Sequence, residues 1–126
     1  MMRALIIDDS LSMRMYVASM IEDQGFETEM ACDGQDALRK LRAGESKGAF
    51  DMATVDWDMP IMDGPSFVAA VRADPKYRDM KLLMLTARQH MDEVVKALAI
   101  GADDYLMKPV TPEMLEEKIR LVGLGR

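Results

Sequence analysis

This sequence holds little of what several large protein classes require. It has one cysteine, Cys32, so no disulfide can close within the chain, and a reducing, cytoplasmic compartment is the expectation. Basic residues do not predominate: 16 Lys and Arg stand against 22 Asp and Glu, a net charge of -6. That balance argues against nucleic acid as a direct partner, because phosphate backbones are bound by basic faces. No apolar run approaches the roughly 18 residues a membrane span needs. No signal-peptide pattern precedes the first apolar run at Ala4, so no membrane partner is expected. Linkers, low-complexity stretches and repeats are also missing. The single histidine, His90, falls between a predicted strand and a predicted helix, where an exposed loop position is the simplest reading.

What is present is ordinary globular material: 126 residues, 49% apolar and 30% charged. A chain of this size buries about two-thirds of its unfolded surface, enough for one core without staples. One domain over 1–126 is expected, with no output domain and no obligate oligomer.

Short apolar runs alternate with segments of helical period. Ala4 to Ile7 reads as a strand ending at Asp8. A helix follows, capped by Ser10 or Ser12, with Met13, Val17, Met20 and Ile21 on one face, and Gln24-Gly25 stops it. Phe26 to Ala31 alternates like a strand. Asp33-Gly34 opens a helix whose Ala37, Leu38 and Leu41 face inward, and a loop is expected over 43–48. Met52 to Val55 is a strand ending at Asp56, and Gly64 opens a helix carrying Phe67, Val68 and Val71. Lys81 to Leu85 is a strand ending at Thr86, and a helix from about Met91 to Ile100 stops at Gly101. Asp104 to Met107 is a strand ending at Lys108-Pro109, and Thr111-Pro112 opens the last helix. Strict strand–helix alternation implies an α/β fold: a five-stranded parallel sheet with helices on both faces. Right-handed crossovers leave 2-1-3-4-5 as the common order, with sites at the carboxyl ends of the strands.

Those ends carry particular chemistry: Asp8-Asp9, Asp56, Thr86 and Lys108. Each alone reads as well as a solvated strand end or a turn. Together, on one edge of one sheet, they form a constellation. Three carboxylates in one crevice repel each other, and a hard divalent ion such as magnesium relieves that repulsion. Lys108 adds a positive charge and Thr86 a hydroxyl for a phosphate oxygen. A carboxylate nucleophile, a metal, a lysine and a hydroxyl suit phosphoryl transfer, with Asp56 on a central strand as nucleophile. The fourteen methionines read as adaptable core filling.

Four segments carry a family resemblance: Ile6-Ile7-Asp8-Asp9-Ser10, Val55 to Gly64, Leu85-Thr86-Ala87, and Gly101 to Pro109. In this order and spacing they resemble bacterial response-regulator receiver domains, especially the chemotaxis members. The resemblance implies that Asp56 is the phosphoacceptor, served by a histidine kinase. It implies Mg2+ as cofactor, held by Asp9, Asp8, Asp56 and the Asp58 backbone carbonyl. Lys108 and Thr86 would then bind phosphate, Tyr105 would be the aromatic switch moving with Thr86, and Lys108-Pro109 would be a cis peptide. The implied partner face is Met91, Val94, Val95, Tyr105 and Lys118, and the implied downstream partner a flagellar motor switch. A phosphotransfer protein, in a relay or a phosphate sink, fits the same pattern. Two positions depart from the chemotaxis pattern: Asp58 replaces asparagine and Arg88 replaces glutamate. Both are expected at the site rim with a partly exposed Trp57, where a pair between Asp58 and Arg88 would restrict water. Asp56-Trp57-Asp58 also fits the D-x-D of aspartyl phosphatases, but 126 residues leave no room for a substrate cap. A degenerate receiver that never takes phosphate is disfavoured by the complete set of chemical residues.

Overall fold

The computed structural model of the protein describes residues 1–43, 49–87 and 91–124, with the backbone alone at Met91. Five strands and five helices alternate: β1 (Arg3–Ile7), α1 (Leu11–Glu22), β2 (Glu27–Ala31), α2 (Gly34–Ala43), β3 (Met52–Asp56), α3 (Gly64–Arg72), β4 (Lys81–Thr86), α4 (Met91–Ile100), β5 (Asp104–Met107) and α5 (Pro112–Leu121). A 3-10 turn, Pro75–Tyr77, lies between α3 and β4. The sheet is parallel throughout, in the order β2-β1-β3-β4-β5. The α/β class, the strand order and the helices on both faces are as expected. Most of the expected loop over 43–48, together with Arg88 and His90, lies outside the described residues; Ala43 itself closes α2.

Local chemistry sets the element ends. Ser10, not Ser12, caps α1, its hydroxyl accepting from the Met13 amide. Asp63 caps α3 by accepting from Ser66, with Pro65 in the first turn. Thr111 does the same for α5 through Met114. The α4 stop at Gly101 needs a positive φ of 126°, which a side chain rarely adopts.

Alternation along the strands divides the core in two. Leu5, Ile7, Ala53, Val55, Leu82 and Met84 face α2, α3 and α4, where Phe67, Val68 and Val71 are fully buried. Ala4, Ile6, Met52, Leu83 and Leu85 face α1 and α5, against Val17, Ile21, Leu115 and Ile119. Each of the Val, Leu, Ile, Met and Phe side chains among these contributes about 1.5–3 kcal/mol when fully buried. Burial on both faces explains why β1, β3 and β4 read as continuous apolar runs. Arg72 stitches the opposite edge of the sheet. Its guanidinium donates to the carbonyls of Gly101, Tyr77, Arg78 and Met80 and to the Asp103 carboxylate.

Candidate functional site

The site is built by continuing the ladder one residue past the strand ends. Ile7 pairs with Val55 and Asp56 with Leu85. Beyond them the Asp8 amide donates to Ala31 (3.1 Å), the Trp57 amide to Leu85 (3.0 Å) and the Lys108 amide to Thr86 (2.8 Å). Asp8, Asp56, Thr86 and Lys108 are thus fixed by backbone bonds at one edge, on four adjacent strands. Gly64 lets α3 start directly above this edge. A Cβ there would lie 2.5 Å from the Asp56 carbonyl oxygen and 3.1 Å from the Trp57 Cα, both backbone atoms that cannot yield.

One carboxylate oxygen each from Asp8, Asp9 and Asp56 lie within 4.8 Å of one another. Asp8 and Asp56 are buried and Asp9 is exposed, so the cluster opens to solvent on one side. Lys108 Nζ lies 2.7 Å from Asp56 Oδ1. Asp8 is oriented at both ends: Oδ1 accepts from the Ser10 amide at 2.9 Å, and its carbonyl accepts from Arg14 at 2.7 Å. Asp8 Oδ2, by contrast, is buried and has no hydrogen-bond partner among the described residues. An acceptor left bare in this way costs about 1–3 kcal/mol, and next to two further carboxylates it suits a hard divalent cation with oxygen ligands.

Burial, above all, pushes the Asp56 pKa up to about 6 from an ordinary 3.8; Lys108 pulls the other way, and Asp8 and Asp9 add to the rise. Asp8 is also raised, again chiefly by burial, against the Ser10 amide and Lys108. Two neighbouring carboxylates held above their ordinary range by burial and by adjacent carboxylate charge fit a site that can take up further positive charge.

The other expected site residues have mixed outcomes. Thr86 ends β4 fully buried, its hydroxyl donating to the Ala87 carbonyl at 3.2 Å. Lys108-Pro109 is cis. Asp58 is exposed, and Arg88 lies outside the described residues, so their expected pairing does too. Trp57 is not a partly exposed rim: it is 6% exposed, packed in the core cluster that holds Val94 and Ala97, and its indole N–H donates to Glu93 Oε2 at 2.9 Å. Alternation turns its side chain opposite to that of Asp56, into the helix layer. On the expected partner face, Val94 is a core residue at 2% exposure, whereas Val95 is 69% exposed. Tyr105 is half-buried, with Lys118 Nζ 5.4 Å from its ring centre and 3.0 Å from Asp104 Oδ1. The Met91 side chain is outside the description. Arg14 and Glu93 were missed by sequence reasoning. Arg14 could have been found, since it stands one helical turn after the Ser10 cap and so above the end of β1.

The fold and the acidic strand edge define a receiver-type α/β architecture, and comparison with known proteins agrees. The response regulator receiver domain family matches residues 4–120, and the chain belongs to that family. It is 38% identical to the chemotaxis protein CheY of Pseudomonas aeruginosa over 122 residues, 96% of this chain and 95% of that one. Against CheY-3 of Vibrio cholerae the identity is 37% over 119 residues, 94% of this chain and 88% of that protein. The crystal structure of Vibrio cholerae CheY4 superposes with a TM-score of 0.86 at 38% identity, covering 97% of this chain and 98% of that one. A receiver domain from Clostridium thermocellum superposes equally well at 25% identity, over 97% of this chain and 94% of that one. Among the described residues, no helix is long and apolar enough to cross a membrane.

Proposed function

We propose that this receiver is a magnesium-dependent switch that takes a phosphoryl group onto Asp56 from a histidine kinase and thereby changes which protein it binds. The observation that carries the reading is the Asp8, Asp9 and Asp56 cluster with Lys108 on Asp56 and one buried oxygen of Asp8 that has no hydrogen-bond partner among the described residues. Asp8, Asp9, Asp56 and the Asp58 carbonyl would hold Mg2+. When bound, the ion neutralises charge on the carboxylates and on the phosphoryl oxygens. The ionised Asp56 carboxylate attacks phosphorus. The bond from phosphorus to the donor nitrogen breaks, the donor imidazole leaves, and an acyl phosphate forms on Asp56. Lys108, now 2.7 Å from the carboxylate, shifts its charge to a phosphate oxygen. Thr86 turns its hydroxyl from the Ala87 carbonyl to another phosphate oxygen, and Tyr105 follows into the space released. The chain's chemistry is confined to its own Asp56.

The output is a protein contact through the face of Tyr105, Val95 and Lys118, on α4, β5 and α5. The 38% identity to a chemotaxis protein over nearly the whole chain supports a downstream partner in chemotaxis, such as the flagellar motor switch. Incubation with acetyl phosphate tests the switch. The expected result is one phosphoryl group per chain, only with magnesium, and none on Asp56→Asn. Turnover of a phosphomonoester without labelling would point instead to a phosphatase. A pull-down with the activated protein against Asp56→Asn identifies the partner, and capture of a phosphotransfer protein in place of a motor component would make the chain a relay or sink.

A further inference from the structure

The helix α4 is held to the body by little apolar packing. Among its described side chains only Val94 and Ala97 are buried, at 2% and 1% exposure. By comparison α3 buries Phe67, Val68 and Val71, and α1 buries Val17, Ala18, Met20 and Ile21. An element with few buried contacts sits at the low end of local stability, where moving parts are drawn from. Among the described residues, a directed bond reaches its first turn from the end of β3: the Trp57 indole N–H donates to Glu93 Oε2 at 2.9 Å.

Trp57 is the residue directly after Asp56. Its amide is fixed to Leu85 at 3.0 Å and its carbonyl accepts from Gly64 at 3.1 Å, so its backbone shares the frame of the acidic site. The indole is rigid, has two side-chain torsions and is almost wholly buried. A displacement at Asp56 therefore passes to the indole N–H and on to Glu93 with little slack. The conformer described here is the one in which Lys108 is engaged with the Asp56 carboxylate itself, so the bond to Glu93 belongs to the unmodified arrangement.

We infer that the bond from Trp57 to Glu93 is a tether that holds α4 in the position matched to unmodified Asp56, making Glu93 a positioning residue of the switch. The inference rests on the proposed phosphoacceptor role of Asp56. Coupling between two places is reciprocal, so loosening α4 must alter what happens at Asp56. Glu93→Ala removes the acceptor and the first-turn negative charge together. Glu93→Gln removes the charge but keeps a carbonyl that can accept from the indole.

The test uses the full chain, magnesium and beryllofluoride as the probe. Fluorine NMR reads the affinity, and amide hydrogen exchange reads α4. Glu93→Ala should bind beryllofluoride about fivefold more tightly, the low end of typical couplings, with faster exchange in the first turn of α4. Glu93→Gln should match wild type on both counts. Wild-type affinity in Glu93→Ala would overturn the tether even if α4 exchanged faster, because the bond would then be merely structural. Equal effects of Ala and Gln would overturn it too, assigning the change to charge. Failure of wild type to bind beryllofluoride would overturn the role of Asp56 and the coupling with it.

Discussion

Replacing Asp56 with Asn should make the magnesium-free protein more stable at pH 7. Asp56 is buried at 3% exposure, and its pKa stands at about 6 against an ordinary 3.8. Each pH unit between those values is worth about 1.36 kcal/mol, so keeping this carboxylate ionised in the folded state costs about 3 kcal/mol at neutral pH. Asparagine is neutral and nearly isosteric, and its amide oxygen can still accept from Lys108. Lys108 loses an ion pair but is about one-third exposed, so water compensates in part. A net gain of about 2 kcal/mol remains, roughly 6–10 °C in Tm for a domain of this size. The pH profile separates this cause from others. Folding raises the pKa, so the folded protein holds a proton that the unfolded chain gives up between about pH 4 and pH 6. Wild-type stability therefore falls as pH rises through that window, and Asp56→Asn escapes the fall. Thermal and urea unfolding in chelator, from pH 4 to pH 8, should show the gap open between pH 4 and 6 and stay constant above. A variant less stable than wild type at pH 7, or a gap as large at pH 4 as at pH 7, would show that the buried charge of Asp56 is not the cause.

Magnesium should stabilise wild type by about 2.7 kcal/mol at a hundredfold excess over Kd, and Asp8→Asn far less, as read by Tm against magnesium concentration. Gly64→Ala should cost about 1–3 kcal/mol by overpacking against the Asp56 and Trp57 backbone, and it should also slow labelling by acetyl phosphate. Arg72→Ala strips partners from the carbonyls of Gly101, Tyr77 and Met80; a loss of about 2–4 kcal/mol in urea unfolding is expected, with magnesium affinity unchanged because the site lies at the other edge of the sheet.

The sheet was legible because strands buried on both faces write themselves as apolar runs, and because Ser10, Asp63, Gly101 and Thr111 punctuate the helices with cap chemistry. The acidic cluster was legible for a topological reason: in a parallel sheet the residue after each strand has only one edge to occupy. Side-chain direction within α4 was not legible. Its sequence places apolar residues at Val94, Val95, Ala97, Leu98 and Ile100, more than one stripe can use. Only packing against α3 and the sheet decides that Val94 and Ala97 turn inward while Val95 turns out. Trp57 was misread for a related reason. Its neighbour Asp56 points to the site, and alternation sends the indole the other way, to a partner on α4 that is 36 residues distant in sequence.

The most direct measurement of the central claim is a crystal structure grown with magnesium and beryllofluoride. A cation touching Asp8, Asp9 and Asp56 is expected, with Lys108 moved off Asp56 Oδ1 and onto a fluorine. A cation bound elsewhere, or Lys108 still paired with an unmodified Asp56 carboxylate at saturating beryllofluoride, would contradict it.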